Sequence, residues 1–256
     1  MTTLIFIISY LVCFVFSIIY INPYLFLLWF ITSYIFGFLV VIIFYLLNFP
    51  LVLILSPTHW YKSYLMKSLA AFLNRCYLNL KVKIEGLENV SKDRPLVAYA
   101  NHKSYTDAFA LMQYFTRPLT LTPKTGVFKI SLLKWWLKAY NVFPINRTNP
   151  KETLMHLQKA VETVKEGHVI LIFPEGTIKD SNKPQVENAK AGAFRLVKEA
   201  KADLLPIKYV GNDLVRHRWP KRTHRKIIIY PAIPYEKYKD LNTREIAQLF
   251  MDTINN

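Results

Sequence analysis

The chain has 256 residues, 52% of them hydrophobic, with 33 Lys or Arg against 17 Asp or Glu and a formal net charge of +16. That length holds one ordinary domain plus an additional segment. Two cysteines, Cys13 and Cys76, exclude a Cys-rich zinc site and suit a reducing compartment.

The charge is unevenly placed. No Asp, Glu, Lys or Arg precedes Lys62, so all 50 charged residues (33 + 17) lie in the remaining 195. Leu4 to Ile21 is an apolar run, interrupted by Asn22 and Pro23. A second run goes from Tyr24 to Leu47 and on past Asn48 and Pro50 to Leu55. Pro23 disfavours helix in the residue before it, so two helices with a tight connection are predicted. Without a basic start, and with apolar character far beyond an ordinary signal core, the leader is not a cleavable signal peptide. It reads as a membrane-embedded hairpin, either spanning or dipping into one leaflet. Lys62, Lys67, Arg75, Lys81 and Lys83 follow, and by the positive-inside rule they hold the body on the cytoplasmic side.

From Pro57 to about Asn79, Trp60, Tyr64, Met66, Leu69, Phe72 and Leu73 alternate with lysines, which predicts an amphipathic helix. It lies in the membrane interface or serves as the first core-packing helix of the body. Beyond it, strands are predicted at 95–100, 119–122, 142–145, 169–173, 204–210 and 226–233. Helical stretches are predicted near 104–115, 129–139, 150–166, 187–200 and 243–255. Alternation of this kind predicts an α/β domain with a mixed central sheet flanked by helices, preceded by the apolar hairpin. The divisions are 1–55 for the hairpin, 56–84 for the amphipathic helix and linker, and 85–256 for the domain.

Two motifs follow directly on predicted strands, where sites in such folds lie. After "PLVAYA" comes "NHKSYTD", with His102 and Asp107 five residues apart. Inside one helix that spacing turns the two about 500° apart. They meet only if His102 precedes a helix that has Asp107 in its first turns, with Ser104 or Thr106 able to cap that start. A carboxylate there fixes the imidazole tautomer and leaves the other nitrogen as a base. After "VILIF" comes "FPEGT", with Glu175 at a strand end and Gly176 permitting an unusual turn. A third stretch, "VFPINR", ends in Arg147, suited to fork onto a phosphate.

In this order the motifs resemble those of the glycerolipid acyltransferases, most closely the 1-acylglycerol-3-phosphate O-acyltransferase branch. The H-x-x-x-x-D block is His102 and Asp107, the arginine block "VFPINR", the third "FPEGT", and the apolar-Pro-apolar strand "LLPIKY" around Pro206. The resemblance covers residues 85 to about 235. It implies that His102 is the general base and that Asp107 holds and polarises its ring. It also implies that Lys124 and Arg147 bind the acceptor phosphate, and that Glu175, Gly176 and Thr177 shape the acceptor pocket. The sequence departs from the family at Ile178, where an arginine is usual, and at Gly126, where a glutamate is usual.

The residues themselves agree on one point. There is no G-x-S-x-G elbow and no plausible nucleophilic cysteine, and direct transfer needs only a base, an oxyanion site and positioning. The implied reaction moves an acyl group from acyl carrier protein or coenzyme A thioester to the sn-2 hydroxyl of lysophosphatidic acid, forming phosphatidic acid, with no other cofactor and no metal. Alternatives are acylation of glycerol 3-phosphate or another lysophospholipid, or a non-catalytic membrane protein that binds anionic lipid or nucleic acid. The basic stretch "RHRWPKRTHRK" (216–226) is assigned to anionic membrane lipid rather than nucleic acid, a solvated loop being its plainest reading. The expected location is a membrane, the cell membrane in a bacterium, with the catalytic domain on the cytoplasmic side.

Overall fold

The computed structural model describes residues 1–123, 125–142, 150–178, 185–211 and 221–256. Helix α1 (Thr2–Tyr20) and helix α2 (Phe26–Ile54) are joined by a single 3-10 turn, Pro23–Leu25. Asn22 caps that turn by accepting the Tyr24 N–H. The predicted break before Pro23 is therefore where the chain reverses. Both helices are long and apolar enough to cross a membrane, and only 17% of each one's apolar window is buried. A core helix of a soluble domain would be mostly covered, so the pair fits membrane association.

The hairpin is attached to the body by helix α3 (Trp60–Phe72), which continues as a π-helical turn, Leu73–Tyr77. Phe6 of α1, Phe38 of α2 and Phe72 of α3 pack ring against ring. The buried Thr2 backbone N–H donates to Ser68 Oγ at 2.8 Å. Helix α3 also buries Leu65 and Ala70, while Trp60 and Tyr64 on it are exposed. Lys62 differs from its expected role as a surface cation. It is 2% exposed, donates from Nζ to the Leu55 carbonyl at the end of α2, and lies against the Tyr140 ring. Burial pushes its pKa down.

Six strands form one sheet in the order β1-β6-β5-β2-β4-β3. They are β1 (Leu80–Glu85), β2 (Leu96–Ala100), β3 (Leu119–Leu121), β4 (Val169–Ile172), β5 (Asp203–Val210) and β6 (Thr223–Ile229). All neighbours are parallel except β5 and β6, which makes the sheet mixed, as predicted. Strands β2 and β4 are buried at every position, because both faces of the sheet are covered. Alternate residues of β2 supply different cores. Val97 and Tyr99 join Phe194, Leu204 and Phe250 on one face, whereas Leu96, Ala98 and Ala100 join Leu111, Phe115 and Leu205 on the other.

The helices are α4 (Asp107–Met112), α5 (Ser131–Ala139), α6 (Pro150–Lys165), α7 (Arg195–Glu199) and α8 (Thr243–Asn255). Three predictions change. Residues 80–84, placed in the linker, belong to a strand that ends at Glu85, with Leu80, Val82 and Ile84 at period 2 and lysines between them. The helix expected from 187 shrinks to a 3-10 turn, Ala191–Phe194, and α7. Before it the backbone is pinned in another conformation, with Val186 bonded through both its N–H and C=O to the Asn255 side chain and the Lys190 N–H to the Pro174 carbonyl. The last strand begins at Thr223, not 226, and ends before Pro231. The strand expected at 142–145 lies largely outside the described residues, and Val142 belongs to no element.

Candidate active site

The site forms where β2 ends. Asn101, fully buried, faces β5 with its amide. Its Nδ2 donates to the Tyr209 carbonyl at 3.0 Å, and its Oδ1 accepts the Tyr209 N–H at 2.6 Å. That pair of bonds replaces the ladder after the strand stops and holds the next residue, His102, in place. Helix α4 then begins at Asp107, which puts the residue in the first turn as the spacing required.

The expected cap does not form. Neither Ser104 nor Thr106 caps α4 through its side chain; Ser104 Oγ instead accepts the Thr106 N–H at 3.3 Å. Asp107 turns its carboxylate back into the loop. Its Oδ2 accepts the Lys103 N–H at 2.7 Å and the Ser104 N–H at 2.8 Å, and lies 3.1 Å from His102 Nδ1. Its Oδ1 accepts from the Arg225 guanidinium. Asp107 and Arg225 are both fully buried at the side chain, while His102 keeps 19% exposure. The carboxylate occupies one ring nitrogen of His102, which leaves Nε2 for chemistry.

The strand-end motif after β4 braces the same histidine from the other side. Glu175, 6% exposed, accepts the His102 backbone N–H on Oε1 at 2.8 Å. The Phe173 ring stacks on the imidazole at 4.1 Å between centroids. Gly176 has φ of +75°, the left-handed conformation that a glycine tolerates, and its N–H returns to the Phe173 carbonyl at 3.0 Å. Thr177 follows, exposed. His102, Asp107 and Glu175 are therefore brought together. Lys124 and Arg147 lie outside the described residues, as do Lys179 and residues 216–220 of the basic stretch.

Three members of the site were not singled out from the sequence. Asn101 was quoted only as part of its motif. Tyr209 donates its hydroxyl to the Asp107 carbonyl at 2.9 Å, and burial, with Asp107 nearby, holds the phenol well above its ordinary pKa. Arg225 was counted into a surface basic patch. Its signal was in the alternation of "THRKIII", where Thr223, Arg225, Ile227 and Ile229 share the buried face of β6.

The chain matches the family model described as Acyltransferase over residues 81–210, slightly more than half its length. It is 30% identical over 179 residues to the chloroplastic 1-acyl-sn-glycerol-3-phosphate acyltransferase LPAT1 of Arabidopsis thaliana, covering 70% of this chain and 49% of that one. It is 31% identical over 131 residues to the 1-acyl-sn-glycerol-3-phosphate acyltransferase of Saccharomyces cerevisiae, covering 51% of this chain and 43% of that one. The match thus spans less than half the length of either relative. The crystal structure of the 1-acyl-sn-glycerophosphate (LPA) acyltransferase PlsC from Thermotoga maritima superposes with a TM-score of 0.61 at 21% identity, over 75% of this chain and 78% of that one, so the two share a fold. With His102, Asp107 and the strand-end glutamate inside the matched region, the chain belongs to the acyltransferase family.

Proposed function

We propose that this protein acylates the sn-2 hydroxyl of 1-acylglycerol 3-phosphate from an acyl thioester, forming phosphatidic acid. The observation that carries the proposal is the 3.1 Å contact between His102 Nδ1 and Asp107 Oδ2 at the end of a central strand, in a chain of this family. The names of the matched plant and yeast relatives support the acceptor.

Nε2 of His102 takes the proton of the acceptor hydroxyl as its oxygen attacks the thioester carbonyl. The tetrahedral adduct collapses with cleavage of the carbon–sulfur bond. The departing sulfur takes the proton back from His102, so the products are the ester and a free thiol, and no covalent enzyme intermediate forms. Glu175 holds the backbone of the base, and Phe173 fixes the ring plane. Lys124 and Arg147 are the family-matched positions for the acceptor phosphate, and acyl carrier protein or coenzyme A carries the donor. The apolar hairpin anchors the body and admits apolar chains. Lys67, Arg75, Lys81 and Lys83 favour the cytoplasmic side.

The test is acyl transfer by the purified full chain, with lysophosphatidic acid, glycerol 3-phosphate and other lysolipids as acceptors and both thioesters as donors. Lysophosphatidic acid is expected to be the preferred acceptor. His102→Ala should lower turnover by at least about 100-fold while the protein stays folded. Near-normal turnover in that folded variant removes the base from the mechanism.

A further inference from the structure

Asp107 carries more than the support of a histidine requires. Two backbone N–H groups and the imidazole occupy Oδ2, and a fully buried guanidinium occupies Oδ1. Arg225 reaches it from β6, 118 residues further along the chain. A buried cation in a sheet core is costly unless a carboxylate neutralises it, and here the carboxylate is the one that orients the base.

We propose that Arg225 is a positioning residue for acyl transfer, acting through Asp107 to hold the carboxylate so that His102 keeps its N–H on Nδ1 and presents Nε2 as the base. The inference rests on His102 being the base. A bare buried carboxylate beside an imidazole favours an extra proton in the pair, either on the ring as an imidazolium or on the carboxyl itself. Both forms lack a free base in the required tautomer. The guanidinium offsets the carboxylate charge and bonds one of its oxygens, and the other oxygen faces the ring. Its direct bond also fixes the carboxylate plane, and with it the ring.

Apart from the buried Lys103, the other groups facing the pair are neutral or anionic. Tyr209 of β5 is a neutral phenol that donates to a backbone carbonyl. Glu175, after β4, is anionic and holds the His102 backbone N–H. Asn101 at the end of β2 and Asn74 from the turn after α3 contribute only neutral amides, to Tyr209 and to the Phe109 carbonyl and Gln113. Lys103 is buried beside the pair and bonds Asp107 through its backbone. Arg225 bonds the carboxylate through its side chain.

The experiment is the pH dependence of kcat/KM for the full chain with lysophosphatidic acid, comparing wild type, Arg225→Met and Arg225→Lys. Arg225→Met should move the acid limb up by about one pH unit, since a unit charge at this range shifts a neighbour by about 1–3, and should lower kcat/KM at neutral pH about tenfold or more. Arg225→Lys retains the charge and should keep the acid limb near that of wild type. A folded Arg225→Met enzyme whose acid limb and neutral-pH rate are unmoved overturns the proposal, even where His102→Ala is inactive. The reverse pattern, an active His102→Ala, overturns the base instead. If Arg225→Met does not fold, a cycle of Arg225→Gln with Asp107→Asn decides. Losses that do not add support action through Asp107, and additive losses refute it.

Discussion

The two ends of this molecule handle polar groups in opposite ways. The hairpin of α1 and α2 contains no charged side chain, and its inner contacts include rings packed on rings and neutral hydroxyls. At the end of β2, two acids, an arginine, a histidine and a buried lysine crowd into one sheet edge. The hairpin is local, since its helices are adjacent in sequence. The site is assembled from residues 73, 108 and 118 positions apart. What can be removed from each without damage should differ accordingly: the site fails through single atoms, whereas the hairpin resists point changes.

The largest effect is expected at Asp107. Asp107→Asn keeps one oxygen for the Lys103 and Ser104 N–H groups but turns an amide towards Arg225 and removes the carboxylate charge beside that guanidinium. Turnover should fall by at least about 100-fold, and the body should lose about 3–5 kcal/mol, as when one partner of a buried pair is removed. Steady-state kinetics and thermal unfolding of the solubilised protein measure both. Unchanged stability would mean that the charge cluster is less coupled than its burial implies.

Much of this contrast was legible in the sequence. The uncharged leader, its break at Pro23 and the alternation of strands and helices follow from local pattern. So does the requirement that His102 precede a helix with Asp107 in its first turns. Strand β1 was missed because its alternate lysines resemble a basic surface segment, although Leu80, Val82 and Ile84 carry the period of a strand. Arg225 was missed for a related reason. It sits among cations, and only pairing of β6 with β5 and β1 decides which of them turns inward. Glu175 was assigned to a substrate pocket, yet its carboxylate holds the His102 backbone, a contact that no local pattern encodes.

A second, smaller effect separates fold from anchor. Gly86 ends β1 with φ of +81°, and a Cβ there would stand 2.0 Å from the Ile229 carbonyl oxygen of β6, which Asn89 Nδ2 also bonds at 2.8 Å. Gly86→Ala combines left-handed strain with overlap against backbone and should cost about 3 kcal/mol or more. Because β6 carries Arg225, activity should fall with stability at the assay temperature. The variant and wild type should nonetheless resist carbonate extraction alike. Loss of membrane retention would show that the anchor depends on the sheet.

The smallest effect lies where the two regions meet. Thr2, fully buried at the start of α1, donates its backbone N–H to Ser68 Oγ, and its hydroxyl lies 2.8 Å from Ser68 Oγ and 2.9 Å from the Tyr45 hydroxyl. Tyr45 in turn donates to the Leu65 carbonyl of α3 at 3.0 Å. Ser68→Ala leaves the Thr2 N–H buried without its acceptor and should cost about 1–3 kcal/mol, read as a lower melting temperature in detergent. Tyr45→Phe removes another arm of the same cluster. Since both act through the Thr2 hydroxyl, their costs should not add, with a coupling of about 0.5–3 kcal/mol. Turnover in detergent should stay near wild type for either variant, because neither touches His102, Asp107 or Arg225. Strict additivity would mean that these hydroxyls are separate surface contacts and that the ring packing of Phe6, Phe38 and Phe72 alone fixes the hairpin to the body.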